Sequence, residues 1–146
     1  MLKVSVIIPT MWMSPRIVPM LKSLSECDTV GEIIIVDNNK DSKPELPDSK
    51  KIKVLEQEKN IYVNPAWNLA VSIADYSVCF LMNDDITFDV SLLDDMCKGL
   101  TDFDVIGLHY TSYKDPRNSQ IFVGHNIGRG WGCLMCFETK MWLDIP

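Results

Sequence analysis

Ser77-Val78-Cys79-Phe80-Leu81-Met82-Asn83-Asp84-Asp85 is the stretch on which the fold turns. A short, nearly continuous apolar run that breaks abruptly into amide and carboxylate side chains reads as a strand buried on both faces, with a polar carboxyl end. The same figure recurs upstream. Val4-Ser5-Val6-Ile7-Ile8 is a β-branched run stopped by Pro9-Thr10, and Glu32-Ile33-Ile34-Ile35-Val36 ends in Asp37-Asn38-Asn39. Ile52-Lys53-Val54-Leu55 makes a further short strand, after a polar loop over residues 40–50 that carries Pro44 and Pro47.

Between the strands lie helical patterns. Ser14-Pro15 offers an N-cap with proline at the first helical position, ahead of Ile17, Val18, Leu21 and Leu24 on one face. Pro19 requires that this helix start late or bend, and Gly31 is expected to close the segment before the second strand. Asn64-Pro65 repeats the cap-and-proline start, with Ala66, Leu69, Ala70, Ile73 and Ala74 on the predicted inner face and Trp67 off it. Ser91 is placed to cap a third helix bearing Leu92, Leu93, Met96 and Leu100, with Asp94 at the capping-box spacing. Val105-Ile106-Gly107-Leu108 and Cys133-Leu134-Met135-Cys136-Phe137 read as two more strands. Alternating strands and helices with wholly apolar strands predict an α/β fold, a mainly parallel sheet covered by helices on both faces.

The bulk numbers agree with one compact domain over residues 1–146, with 47% hydrophobic and 23% charged residues. Fourteen Lys plus Arg against twenty Asp plus Glu leave a net charge of −6, so a nucleic-acid partner is not expected. Cys27, Cys79, Cys97, Cys133 and Cys136 make an odd count with no secretory signal ahead of them, which predicts reduced thiols and a cytoplasmic location. Cys133-x-x-Cys136 lacks a second pair or a His couple to complete a zinc site. No apolar run approaches the roughly 20 residues of a membrane span.

Ligands of open parallel sheets collect beyond the strand carboxyl ends, where strand order reverses. Pro9-Thr10, Asp37-Asn38-Asn39 and Asn83-Asp84-Asp85 are all such ends. Adjacent carboxylates after a buried strand repel each other unless a cation or hydrogen-bond donors compensate them, and hard oxygens suit Mg²⁺ or Mn²⁺. The alternative reading is that Asp84 or Asp85 only turns the chain toward the next helix. Gly128-Arg129-Gly130-Trp131-Gly132 sets a guanidinium and an aromatic ring among three glycines, able to meet an anion and a flat or sugar-like face, or else is a plain connector. His109 and His125 are too far apart in sequence for a local metal pair.

In order and spacing, Val4 to Thr10, Ile34 to Asn39, Asn60 to Asn68 with Ala70, and Phe80 to Asp85 resemble family 2 glycosyltransferases. The likeness is close over residues 3–89 and weaker beyond. It implies a GT-A-like three-layer sandwich that moves a sugar from a nucleotide-diphosphate donor to an acceptor hydroxyl, of a glycan or another compound. By the resemblance, Pro9, Thr10, Asp37 and Asn39 would hold the base and ribose, with Asn68 assisting. Asp84 would lie against ribose or metal, and Asp85 would be the main ligand of Mn²⁺ or Mg²⁺. Arg129 and Trp131 fall on the acceptor side.

One departure stands out. Relatives carry their general base on a segment after the region that here reads Cys133 to Leu143, and this chain ends at Pro146, with Asp144 the one weak candidate. A non-catalytic nucleotide-sugar-binding module is therefore the alternative, and a homo-oligomer would cover apolar surface on a shortened domain. A signalling receiver is the remaining rival; it needs a lysine at a late strand end, and Lys114 lies four residues past Tyr110.

Overall fold

In the computed structural model, which describes residues 2–107 and 133–144, every apolar run above is a strand. In chain order the elements are β1 (Val4–Thr10), α1 (Ile17–Glu26), β2 (Val30–Asp37), β3 (Ile52–Glu56), α2 (Val63–Val71) and β4 (Val78–Met82). They continue with α3 (Leu92–Gly99), β5 (Val105–Gly107), β6 (Leu134–Glu138) and α4 (Thr139–Leu143). The sheet runs β3-β2-β1-β4-β6-β5. β1 to β4 are mutually parallel, whereas β6 runs antiparallel to both β4 and β5. Strand order reverses at β1, with β2 on one side and β4 on the other.

Side chains alternate across the sheet with period two, so the apolar runs supply two cores. Val4, Val6, Ile8, Ile33, Ile35, Phe80 and Met82 pack with α1 and α3 on one face. On the other, Ile7, Ile34, Val36, Cys79 and Leu81 pack with α2 and the Phe137–Trp142 stack. Those are three layers, helix on sheet on helix.

The helix starts depart from the expected ones. α1 begins at Ile17, and Ser14 Oγ accepts from Arg16 N at 3.2 Å instead of capping the helix. Pro19 thereby occupies the third helical position, where the missing N–H has no carbonyl to lose. α2 begins at Val63, so Pro65 is again third. Its buried face is Ala66, Trp67, Ala70 and Val71, while Leu69 and Ile73 are exposed. Ala66 and Ala70 lie on the expected inner face and Ala74 packs against the same core, but the buried stripe is rotated toward Trp67 and Val71, because the Trp67 ring, the largest apolar surface of the helix, turns inward. Ser91 makes no side-chain cap, and Asp94 instead accepts a hydrogen bond from Thr29. Gly31 lies inside β2 rather than closing a segment: any Cβ there would overlap the Tyr76 ring.

A buried polar group ties the amino edge of the sheet. Glu32 of β2 accepts from Ser5 Oγ at 2.6 Å, Asp75 N at 2.7 Å and Lys53 Nζ at 2.6 Å, and Lys53 also meets Asp75 at 2.5 Å. Every oxygen of this buried carboxylate has a partner, which is the condition for a charge to be tolerated there.

Candidate functional site

β1, β2 and β4 deliver their polar ends to one edge. Thr10 is in register with Asp37, and Ile7 with Leu81, so continuing β1 and β4 by three residues brings Thr10 level with Asp84. The contact follows: Thr10 Oγ1 donates to Asp84 Oδ2 at 2.6 Å. The same hydroxyl accepts from Trp12 N at 2.8 Å, and Asn38 N donates to Thr10 O at 2.9 Å. Thr10 is buried and Asp84 half-buried, so this charge-assisted bond is partly shielded from water.

Asp37 is placed differently from a ligand group open to solvent. It is wholly buried, and its Oδ1 accepts from Trp12 Nε1 at 2.8 Å and Asn39 N at 3.0 Å. Its Oδ2 is buried and has no partner among the described residues. The indole roofs the carboxylate from a backbone at φ 62°, a left-handed conformation uncommon for a bulky residue. Near Asp37, the ammonium of Lys43 is held above its ordinary range, first by the Glu56 carboxylate it pairs with and in smaller part by the charge of Asp37. Asn39 turns its amide to Ser42 Oγ at 2.9 Å and orients Asp37 through its backbone.

A cleft of about 580 Å³ opens along this edge, with Pro9, Thr10, Asn38 and Asp84 in its floor. Met11 and Met13 after β1, and Asn60, Tyr62, Val63 and Pro65 at the start of α2, make its lip. Asn38 Oδ1 accepts from Ile61 N at 3.0 Å, which fastens the lip to the end of β2.

Asp85 is exposed, and its main-chain oxygen accepts from Arg16 Nη1 at 2.7 Å. Among the described residues no three His, Cys, Asp or Glu side chains converge as a metal cluster. The donor set at this edge is thus two successive carboxylates, one already oriented by Thr10. Such a set suits Mg²⁺ or Mn²⁺, ions that take one or two protein carboxylates and complete their shell with ligand phosphates and water. The residues present fit such an ion, shared with a ligand, and not a self-sufficient protein cage.

Other expected residues are not brought here. Asn68 is exposed on α2, where its Oδ1 accepts from Trp142 Nε1 at 2.9 Å, and it is not among the residues lining the cleft. Asp144 ends α4, whose Trp142 stacks on Phe137, the partner of Cys79 in β4. Cys79 lies five residues, or roughly 16 Å of strand, from Asp84. Arg129, Trp131, His109, His125 and Leu108 lie outside the described residues. The chain leaves β5 at Gly107 and returns at Cys133, whose carbonyl accepts from Asn83 N at 2.9 Å. From sequence, Asn38 belongs to the second polar strand end and Trp12 of the first loop either lines the site or covers an edge, whereas Asn60 and Tyr62 are not singled out. For Asn60 and Tyr62 the pointer is the Asn60–Asn68 segment, part of the family likeness.

A family model described as glycosyl transferase family 2 matches residues 5–133. Among solved structures, the mannosyltransferase PcManGT from Pyrobaculum calidifontis, in complex with GDP-Man and Mn²⁺, superposes with a TM-score of 0.68 at 18% identity. That match covers 98% of this chain and 46% of the other. TarS of S. aureus (residues 1–349), in complex with UDP-GlcNAc, gives 0.64 at 20% identity, over 98% of this chain and 47% of the other. The chain spans about half the length of these two proteins. The 4-diphosphocytidyl-2C-methyl-D-erythritol synthase of Anaerococcus prevotii gives 0.61 at 10% identity, over 96% of this chain and 73% of the other. At these identities the likeness shows a shared fold. A comparison with curated proteins found no match.

Proposed function

Because the chain belongs to glycosyl transferase family 2, we propose that this domain binds a nucleotide-diphosphate sugar with Mn²⁺ or Mg²⁺ and serves transfer of the sugar to an acceptor hydroxyl. The observation that carries the reading is the union of three strand ends: Thr10 bonded to Asp84, and Trp12 joining Thr10 to Asp37, beside the cleft. Solved proteins of this fold in complex with GDP-Man and with UDP-GlcNAc support it.

Each residue then has a task. Pro9, Thr10 and Asn38 form the floor under the nucleoside. Asp37 accepts an N–H or hydroxyl of the ligand on Oδ2, the oxygen with no partner among the described residues, once the Trp12 roof shifts; Asn39 keeps that carboxylate oriented. Asp84, aimed by Thr10, and Asp85 would hold the cation, which would supply positive charge against the departing diphosphate. In the transfer itself, the bond from the anomeric carbon to the phosphate oxygen breaks as the acceptor oxygen bonds to that carbon. The nucleoside diphosphate leaves, and the hydroxyl proton passes to a base.

Asp144, at the end of α4, is not among the residues lining the cleft, which favours a second reading: donor binding in this part of the protein without Asp144 as its base. Arg129 and Trp131 stay proposed for the acceptor side, on the ground that Gly107 and Cys133 both flank the carboxyl edge. Among the described residues no helix is long and apolar enough to cross a membrane. A single domain working in the cytoplasm stays proposed; its five cysteines are free thiols. Leu69 and Ile73 are apolar surface that self-association would cover.

A thermal-shift series with UDP, GDP and their sugar conjugates, with and without Mn²⁺, tests the reading. Ligands that bind only the folded state raise Tm by mass action. The expected result is a Mn²⁺-dependent rise that is lost in Asp85→Ala. No rise with any nucleotide sinks the reading, and binding without product in a transfer assay selects the donor-binding module.

A further inference from the structure

Two non-glycine residues among those described have positive φ, Trp12 and Tyr62, and both flank the cleft edge. Trp12 has an evident reason, its bond to Asp37. Tyr62 has none among the described residues. Its φ of 65° and ψ of 178° fall in a region that is essentially glycine's, because a Cβ there crowds the backbone. Core packing does not compensate, since Tyr62 is 74% exposed. The conformation is held from outside: Tyr62 N donates to Asn60 Oδ1 at 2.7 Å, Ile61 N to Asn38 Oδ1 at 3.0 Å, and Ala66 N to Tyr62 O at 3.3 Å. The effect is to project a phenol ring over the mouth of the cleft, across from Met13, itself 83% exposed on the other lip.

Building on the nucleotide-sugar reading above, we propose that Tyr62 is the residue that stacks on the nucleobase of the donor. Sheet order decides which part of the ligand it meets. The paired carboxylates Asp84 and Asp85 follow β4, whereas the Tyr62 segment is fastened to Asn38 at the end of β2. β2 and β4 flank β1, so the two positions are two interstrand steps apart, roughly 10 Å. A diphosphate at the β4 end puts ribose over β1 and the flat base at the β2 end, beneath Tyr62. Met13 closes the opposite side with a soft, polarisable thioether suited to an aromatic face. An aromatic platform reads the π face of any base, so it serves uridine and guanosine nucleotides alike.

The test compares the wild-type chain, Tyr62→Gly and Tyr62→Phe, titrated with UDP, GDP and inorganic pyrophosphate, all with Mn²⁺, alongside Tm of the free proteins. Glycine removes the ring and relieves the backbone. The variant is expected to melt no lower than wild type while losing roughly five- to a hundredfold in affinity for both nucleotides. Its pyrophosphate affinity should be unchanged, and Tyr62→Phe should keep wild-type values. A merely structural tyrosine would move Tm downward and spare selectivity. Nucleotide affinity of Tyr62→Gly within twofold of wild type, an equal loss for pyrophosphate, or a lowered Tm each overturns the proposal and leaves the donor-site reading standing. Wild-type protein that binds neither nucleotide overturns both.

Discussion

The hydrogen bond between Thr10 and Asp84 is the covalent-free joint between β1 and β4 at the site, and its strength can be measured. Thr10→Val keeps the branched shape and removes the hydroxyl. Two bonds go with it: the 2.6 Å donation to Asp84 Oδ2 and the 2.8 Å acceptance from Trp12 N. A hydrogen bond to a charged group is worth about 1.5–3 kcal/mol net, and half-exposure of Asp84 takes the lower part of that range. Losing the acceptor of Trp12 N adds about 1 kcal/mol. Thr10→Val should therefore cost about 2–3 kcal/mol, read from urea denaturation as a lower midpoint at unchanged slope. Asp84→Ala leaves the buried Thr10 hydroxyl without its acceptor and should cost about 1–2 kcal/mol. The double variant isolates the pair, with an expected coupling of about 1–2 kcal/mol. Coupling below about 0.5 kcal/mol would show that the two strand ends do not act together, and the account of how Asp84 is aimed would fail with it.

Three further outcomes follow from groups outside the cleft. Glu32→Ala leaves Ser5 Oγ and Asp75 N without their acceptor, while Lys53 keeps Asp75, and should cost about 2–3 kcal/mol in the same denaturation experiment, with Glu32→Gln losing less. The Lys53 ammonium is raised above its ordinary 10.5, by Asp75 first and Glu32 second, so its contribution is complete below pH 10.5 and disappears as pH rises through the higher folded value. Stability measured across that alkaline limb should flatten in Lys53→Met; an unchanged slope would show that the pair adds nothing. Burial pushes the Cys79 and Cys97 thiols up to about 11, and Cys136 is raised further by the same cause. At pH 8 these three should resist a thiol-specific disulfide reagent until urea unfolds the chain, and prompt labelling of Cys136 in the native state would contradict the described core.

The buried strands were readable because burial on both faces demands β-branched and apolar residues without a break, as in Ile33 to Val36 and Val78 to Met82. Their polar ends were readable for the complementary reason: Asp37 and Asp84 stand where the apolar run can no longer continue. Helix starts were less so. Ser14-Pro15 and Asn64-Pro65 look like cap-and-proline pairs, but proline is tolerated anywhere in the first turn, and the chain used the third position of α1 and of α2 for Pro19 and Pro65. One edge of the α2 inner face differs from the expected one, with Ala66 and Ala70 in common, since spacing alone does not say whether Trp67 or Leu69 turns toward the sheet.

From the sequence by itself come the α/β class, the family likeness and the three strand ends that carry Thr10, Asp37 and Asp84, because hydrophobic period and polarity breaks are local properties. Only the tertiary structure decided that β6 enters antiparallel between β4 and β5, that Thr10 bonds Asp84, that Trp12 roofs Asp37, and that Asn68 faces Trp142 and not the cleft. Each of those depends on residues more than twenty positions apart meeting in register, which no local pattern encodes.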